Sequence, residues 1–136
     1  MSGQSHRKNG FTLGEVLVVV IILGILASIA VPSYIGIKRK VYDYGAQSNL
    51  KLVQAAEKSY RIEARQYIDC ANSSACNAAL RMDMPVGGYW DYSVPAAKID
   101  NNATPQVFCA EANNAASGRQ WHIDQDDAEA INGACP

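Results

Sequence analysis

The sequence predicts an α+β fold in which one long N-terminal helix carries a small antiparallel sheet. Three features of the 136-residue chain support this prediction. An uncharged apolar run covers residues 16–31, the next segment repeats apolar residues every three or four positions, and the C-terminal half alternates apolar and polar residues between turns. We therefore divide the chain into residues 1–10, a helix over residues 11–66 and a globular head over residues 67–136.

Composition limits the classes of function that the chain can have. Its formal net charge is −1, so nothing indicates nucleic acid as a primary partner. Much of the apolar content lies in residues 11–37, and the remainder can bury only a modest core. A head of this size gains from covalent cross-links.

All four cysteines lie downstream of the apolar run. If that run is an export signal or an anchor, the head lies in an oxidising compartment, where cysteines pair. Four cysteines allow three pairings, and we favour Cys70 with Cys76 and Cys109 with Cys135. The first pair would close a short loop, and the second would tie the C-terminus to the head. The spacings do not match those of zinc ligands.

The apolar run is long enough to span a membrane only if it includes Glu15. Residues 16–31 rise about 24 Å as a helix, which is short of a hydrocarbon core about 30 Å thick. Starting the helix at Phe11 gives about 31 Å, and Glu15 is then its single charged residue. A carboxylate at that depth is costly and usually has a partner and a function. The alternative is that Glu15 lies at the headgroup boundary.

The residues before Glu15 offer it a partner. Residues 1–10 form a short segment that is polar and basic. Cleavage between Gly10 and Phe11 would create an α-amino group four residues before Glu15, and such an amine has a pKa near neutrality. The amine could neutralise the carboxylate of an adjacent copy of the chain, and this buried ion pair would set the register between copies.

The N-terminal sequence resembles that of class III signal peptide proteins, which are the type IV pilins and the pseudopilins of type II secretion. The family pattern is a short basic leader ending in glycine, then Phe-Thr-Leu, one residue, glutamate and a long apolar helix. The matching positions are Gly10, Phe11, Thr12, Leu13, Glu15, Gly24, Pro32 and Tyr34. Gly14 departs from the pattern, because the family usually has a large aliphatic residue there.

The resemblance, which covers roughly the first 40 residues, implies a type IV pilin fold and a structural role. Prepilin peptidase would cleave between Gly10 and Phe11, and the new amino group of Phe11 would be methylated. Glu15 would pair with the Phe11 amine of a neighbouring subunit during assembly. The helix would first cross the bacterial inner membrane once, in contact with lipid and with the assembly machinery. It would later pack in the core of a helical homopolymer, the pilus or fimbrium at the cell surface.

Gly24 and Pro32 mark a stretch of the helix that could change its structure. Proline removes a helical hydrogen bond, and glycine lowers the cost of unwinding. The resemblance implies that this stretch melts in the assembled filament. An ordinary proline kink in a membrane helix is the alternative.

A conventional secretory signal is another interpretation of the N-terminus. Ser28 and Ala30 fit the small-residue cleavage rule, and cleavage after Ala30 would release a soluble exported protein that begins at Val31. Glu15 disfavours this interpretation, because it interrupts the junction between the basic and the apolar regions.

Beyond the apolar run, the helical pattern continues to about Arg65. Lys51, Lys58 and Arg65 mark a charged face at seven-residue spacing. The basic residues 38–40 are either a solvated face or a source of salt bridges to Asp43 of neighbouring copies. The apolar stripe of this segment consists of Ala46, Leu50, Val53, Ala56, Tyr60, Ala64 and Tyr67.

The head is predicted to contain three strands. The predicted strands cover residues 86–94, 104–110 and 119–124, with a turn at residues 115–118. The segment between the first two cysteines is rich in small polar residues and is predicted to be a loop.

The sequence does not place residues for a catalytic site. His122 and Asp124 could share one face of a strand, but no serine or free cysteine is positioned to complete a nucleophilic site. We therefore expect no enzyme. Asp124, Asp126 and Asp127 resemble the start of a calcium loop that lacks its glycine and its distant glutamate. We expect no cofactor, with calcium at these three residues as the alternative.

The predicted function is that of a structural subunit of a type IV pilus, compatible with adhesion, motility or DNA uptake. The alternative is a pseudopilin that forms a short periplasmic polymer in type II secretion. Within the resemblance, a Cys109–Cys135 disulfide favours the pilin, and calcium binding favours the pseudopilin. A solitary anchored periplasmic domain is a third interpretation and predicts no polymer.

Overall fold

A computed structural model of the protein describes residues 10–136. Its main elements are a long helix and a four-stranded antiparallel sheet. The α+β prediction is thus confirmed. The elements in chain order are α1 (Leu13–Ala64), α2 (Ser73–Leu80), β1 (Asp91–Ser93), a 3-10 turn (Ala96–Lys98), β2 (Cys109–Asn114), β3 (Arg119–Asp124) and β4 (Ile131–Asn132). Two compact units divide the chain inside α1: the first ends at Lys40, and the second is Val41–Pro136.

The described part of the first unit, residues 10–40, consists mainly of the N-terminal part of α1. The helix continues without interruption through Gly24 and Pro32. Every residue from 10 to 40 is exposed in the single chain. The hydroxyl of Ser28 donates to the carbonyl oxygen of Ile25 at 2.7 Å, so this polar group is satisfied within the helix. Melting at Gly24 and Pro32 concerns the assembled state and stays a prediction.

The second half of α1 packs on the head through one buried face. Ala46, Leu50, Val53 and Glu57 are the buried residues of this face. The first three belong to the predicted stripe, whereas its last helical member, Ala64, is exposed. The core residues that the head contributes include Tyr67, Trp90, Tyr92, Val94, Phe108, Ala110, Ala112 and Ile123.

The sheet has the order β1-β2-β3-β4, and all neighbours are antiparallel. Its register aligns Tyr92, Ala112 and Trp121 across three strands. The side-chain amide of Asn49 donates to the Tyr92 hydroxyl at 2.8 Å, which ties α1 to β1. The antiparallel pattern also places residues two apart on one face.

Two of the three predicted strands differ from the structure. The prediction for residues 119–124 and for the preceding turn is correct. The predicted strand over residues 86–94 is reduced to β1, and the one over residues 104–110 is displaced to β2. The sequence Glu-Ala-Asn-Asn at residues 111–114 has low strand propensity. It is extended because it pairs along its whole length with β3.

Helix α2 replaces the loop predicted between the first two cysteines. Asn72 caps it, because its side-chain oxygen accepts from the backbone N–H of Ala75 at 2.9 Å. The hydroxyl of Ser73 donates to a carboxylate oxygen of Asp91 at 2.6 Å. This contact fixes the start of α2 to β1.

The two disulfides are Cys70–Cys76 and Cys109–Cys135, the pairs that we favoured from sequence. The second joins β2 to the C-terminal segment. The backbone N–H of Cys135 also donates to Glu111 of β2 at 3.1 Å. The C-terminal residues are therefore held on the sheet by one covalent and one polar contact.

An ion pair between Arg119 and Asp43 joins β3 to α1. The hydrogen bond that Arg119 donates to the Asp43 carboxylate raises the pKa of Arg119 further above its ordinary value. The guanidinium carbon lies 5.9 Å from the centre of the Trp90 ring, and the indole N–H donates to the carbonyl oxygen of Tyr42 at 2.8 Å. Since Asp43 has a partner in its own chain, salt bridges from residues 38–40 of neighbouring copies would have to compete with it.

Glu57 was not predicted to be buried, yet its side chain is 0% exposed. One carboxylate oxygen, Oε2, accepts from the backbone N–H of Ile68 at 3.2 Å, and Oε1 has no partner within residues 10–136. Burial raises the pKa of Glu57 to about 7; the Ile68 N–H opposes the shift and the charge of Asp69 adds to it. The carboxyl is therefore protonated in the folded chain under mildly acidic conditions.

We expect Glu57 to make the free energy of unfolding fall as the pH rises from its ordinary pKa of 4.5 to about 7. In this interval the folded protein holds a proton that the unfolded chain releases, whereas below it both states are protonated. Glu57→Gln should lack this fall and should be more stable than the wild type at about pH 8, by roughly 1–3 kcal/mol. Denaturant unfolding of the detergent-solubilised chain at several pH values measures both the pH dependence of the free energy of unfolding and the difference between variant and wild type.

Glu63→Gln is the matched control, because Glu63 is exposed on the same helix. It should retain the wild-type dependence of stability on pH. An unchanged pH profile in Glu57→Gln would contradict the proposed role of Glu57.

Candidate processing and assembly site

The peptide bond between Gly10 and Phe11 is accessible. Gly10, Phe11 and Thr12 precede α1 and are not helical. The Phe11 side chain is 81% exposed, and a side chain added at Gly10 would meet no atom within 4 Å. Exposed, non-helical backbone of this kind suits a peptidase.

Thr12 and Glu15 form a capping box at the start of α1. The backbone N–H of Glu15 donates to the Thr12 hydroxyl oxygen at 3.3 Å. In return, Oε2 of Glu15 accepts from the backbone N–H of Thr12 at 2.9 Å and from its hydroxyl at 2.8 Å. This arrangement satisfies two backbone donors that a helix N-terminus leaves without a partner.

Our sequence analysis assigned Thr12 no role beyond its place in the family pattern. The spacing Thr-x-x-Glu before an apolar run is the signature of a capping box and would have identified the contact. The carboxylate of Glu15 uses only Oε2, and Oε1 makes no hydrogen bond within the described chain. One oxygen therefore remains for a cation from another molecule. Pairing with a neighbour's Phe11 amine is a contact between copies and stays a prediction.

A continuous apolar surface follows Glu15. By length and composition, α1 is long enough and apolar enough to cross a membrane. The largest exposed side chains within this surface include Val16, Leu17, Val20, Ile21, Leu23, Leu26 and Ile29. An exposed apolar patch of this size marks contact with a membrane or with another protein.

His122 and Asp124, which the sequence could place on one face of a strand, both contact backbone groups. The Nδ1 atom of His122 lies 3.0 Å from the carbonyl oxygen of Gly133. The Oδ1 atom of Asp124 accepts from the backbone N–H groups of Asp126 and Asp127 at 2.8 and 2.9 Å. Both side chains therefore hold loops.

The three aspartates of the possible calcium site mostly stabilise their own turn. Oδ2 of Asp127 accepts from the backbone N–H of Asp124 at 3.0 Å, and Oδ2 of Asp126 accepts from the side-chain amide of Gln125 at 2.9 Å. In the part of the chain that the structure describes, no three His, Cys, Asp or Glu side chains are grouped so as to hold a metal ion. Calcium binding at Asp124, Asp126 and Asp127 stays an untested alternative.

Comparisons with known proteins each cover less than half of the chain. Residues 5–31 match the prokaryotic N-terminal methylation motif. The type IV major pilin protein PilA of Myxococcus xanthus is 44% identical over 66 residues, which are 48% of this chain and 30% of that protein. The type II secretion system core protein G of Aeromonas hydrophila is 42% identical over 64 residues, 47% of this chain and 45% of that protein. Its counterpart in Escherichia coli is 36% identical over 63 residues, 46% of this chain and 43% of that protein.

The chain carries the prokaryotic N-terminal methylation motif and is similar, over about half of its length, to a type IV pilin and to type II secretion pseudopilins. The chain aligns with less than half the length of each of these relatives, and no solved structure matches it significantly. The identities to the pilin and to the secretion protein are similar, so they do not separate the two subfamilies. Residues 1–9 of the predicted leader lie outside the described residues.

In this pilin-like chain, we expect Thr12→Ala to loosen the first turn of α1. Loss of an N-cap costs about 1 kcal/mol, so the amide of Glu15 should exchange with deuterium about fivefold faster. NMR of the full chain in detergent micelles measures this rate.

Two variants serve as controls for this measurement. Thr12→Ser keeps the capping hydroxyl, and Ser28→Ala removes a hydroxyl that bonds elsewhere in the helix. Both should leave exchange at Glu15 unchanged. Wild-type exchange in Thr12→Ala would show that the capping box does not stabilise the helix start.

Proposed function

We propose that this pilin-like chain is a structural subunit that polymerises into a type IV pilus through the N-terminal half of α1. One observation carries the proposal: a continuous exposed apolar helix begins with a single carboxylate, Glu15, and one oxygen of that carboxylate has no hydrogen-bond partner within residues 10–136. A surface of this kind needs a covering of lipid or protein. The similarity to a major pilin supports a covering by other copies.

In this proposal, assembly starts when prepilin peptidase cleaves between Gly10 and Phe11. Cleavage frees the amine of Phe11, which is then methylated and is a cation near neutral pH. This amine binds Oε1 of Glu15 in a neighbouring copy, while Thr12 of that copy holds Oε2. An ion pair away from water is stable only when both partners are present, so the pairing selects one register.

Before assembly, the apolar run anchors the subunit in the bacterial inner membrane. The helical residues 13–31 rise about 28 Å, which is close to the thickness of a hydrocarbon core of about 30 Å. In the filament, the helices of neighbouring copies replace the lipid, and the stretch between Gly24 and Pro32 melts. The role is structural, so it uses no catalytic residue, cofactor or nucleic acid.

The second half of α1 extends the polymer surface. Val41, Tyr44, Leu52 and Ile62 are exposed apolar residues that lie on the side of the helix opposite the buried face. Their exposure ranges from 55% for Leu52 to 78% for Ile62. An exposed apolar stripe on the side of α1 opposite its buried face supports helix contacts between subunits.

A pseudopilin of a type II secretion system is the second candidate function. The similarity to the core protein G supports it, whereas the Cys109–Cys135 disulfide supports the pilin. Electron microscopy of fibres sheared from cells separates the two, because a pseudopilus is confined to the periplasm. A solitary anchored domain gives no polymer in either place.

We expect the mature subunit to begin at Phe11 and to carry one N-terminal methyl group. Intact mass spectrometry of the chain from sheared fibres and from membranes measures this. A chain that begins at Val31 would identify a conventional signal peptide, and a chain that keeps residues 1–10 would exclude processing.

We expect Glu15→Ala to insert in the membrane normally and to lower the yield of sheared filaments. The lost charge-assisted hydrogen bond is worth about 1.5–3 kcal/mol, which corresponds to roughly a tenfold to hundredfold weaker association. Immunoblots of the membrane and sheared fractions measure insertion and assembly separately. Glu63→Ala removes an exposed carboxylate from the same helix and should assemble as the wild type does; normal yield from Glu15→Ala would contradict the pairing.

A further inference from the structure

One flank of α1 in the second unit is basic. Lys51, Lys58, Arg61 and Arg65 follow one another on this flank, between the buried face and the outward apolar stripe. The first of them lies 3.9 Å from Glu129 of its own chain, in an exposed pair. The other three lie farther along the helix and form no ion pair within residues 10–136.

The acidic turn, defined here as residues 124–129, covers only the first part of the basic flank. The side-chain amide of Gln54 donates to the carbonyl oxygens of Asp124 and Asp127 at 2.6 and 2.9 Å. These bonds hold the turn beside α1 at the level of residues 51–54. Asp126 and Glu129 remain exposed at its surface.

The remainder of the basic flank forms an open groove of about 640 Å³, lined by Lys58, Arg61, Ile62, Arg65 and Gln106. The guanidinium of Arg61 is fixed, because it donates to the Gln106 side chain at 2.9 Å and lies 5.4 Å from the centre of the Tyr67 ring. Lys58 and Arg65 have no acidic partner within residues 10–136. The groove thus presents a positioned guanidinium between two uncompensated cations.

We propose that this basic groove receives the acidic turn of a neighbouring copy of the chain. Lys58 and Arg65 of the groove have no acidic partner within residues 10–136, and the turn offers the exposed carboxylates of Asp126 and Glu129, so the two surfaces are complementary in charge. Lys51 already binds Glu129 within one chain, and Lys58 lies seven residues farther on, about 10.5 Å along the same flank. A neighbour displaced by that distance along the helix brings its own Glu129 to the level of Lys58. The inference rests on the proposed polymer and specifies how its heads meet.

Charge reversal tests the contact in cells that produce the full chain. Lys58→Glu with Arg65→Glu should lower the yield of sheared filaments about tenfold, and so should Asp126→Lys with Glu129→Lys. Combining all four changes should restore most of the yield, because the attraction is recreated with its sign inverted. Glu63→Lys, a reversal on another flank of α1, should assemble normally.

Each outcome decides the proposal. Unchanged yield in either double reversal overturns it, and so does a fourfold variant that is not restored. Loss confined to the Lys58 and Arg65 reversal would show that the groove binds another anion, such as a phosphate group. The wild-type yield reports separately on the proposed function, because absence of sheared wild-type filaments would contradict the proposed pilus.

A second measurement covers the case in which a reversal lowers the amount of folded subunit. Lys58→Gln with Arg65→Gln removes the charges without adding new ones, and both residues are exposed. Carbodiimide treatment of wild-type filaments should join Lys58 to Asp126 or Glu129 of another copy, identified by mass spectrometry of mixed light and heavy subunits. Absence of the mixed cross-link, together with normal assembly of the Gln variant, overturns the proposal.

Discussion

The N-terminal half of α1 exposes a continuous apolar surface, and the behaviour of the whole chain depends on where that surface is buried. A bilayer and a bundle of identical helices cover it about equally well, because lipid tails are as apolar as leucine side chains. Burial of the apolar surface alone therefore does not favour the polymer over the membrane. Glu15 is the single charged residue between residues 11 and 37, so the choice falls to the electrostatic environment of one carboxylate.

The capping box provides hydrogen bonds to the Glu15 carboxylate within a single subunit. Thr12 supplies two donors to Oε2, so a subunit in lipid does not carry a wholly uncompensated charge. A neighbouring amine would then add a partner at Oε1 without displacing Thr12. In the proposed pairing, the neighbour's amine would bind Glu15 without breaking the contact with Thr12. Glu15 could then keep its capping contact both in the membrane and in the polymer.

Sequence was a good guide where a property depends on local pattern. The helix, its apolar run and the β3 strand follow from periodicity, whereas the assembly role of Glu15 stays a prediction. Glu57 was missed because a carboxylate is not expected on an apolar face; its Oε2 accepts from the backbone N–H of Ile68, which the chain after α1 brings to it. β2 was displaced because its pairing with β3, rather than its composition, extends it. The Thr12 contact was within reach of sequence, and it was missed because residues 12–15 were interpreted only as a processing motif.

The second half of α1 has three distinct surfaces around its axis. One face is buried against the head, the opposite face exposes Tyr44, Leu52 and Ile62, and the basic flank lies between them. The core fixes the first face, so the other two keep a constant angle to each other and to the acidic turn. A single exposed ion pair contributes only about 0.2–1 kcal/mol. In a polymer the same pair recurs at every subunit, and a contact too weak to hold two heads together in solution can still select their arrangement once the helices have brought them side by side.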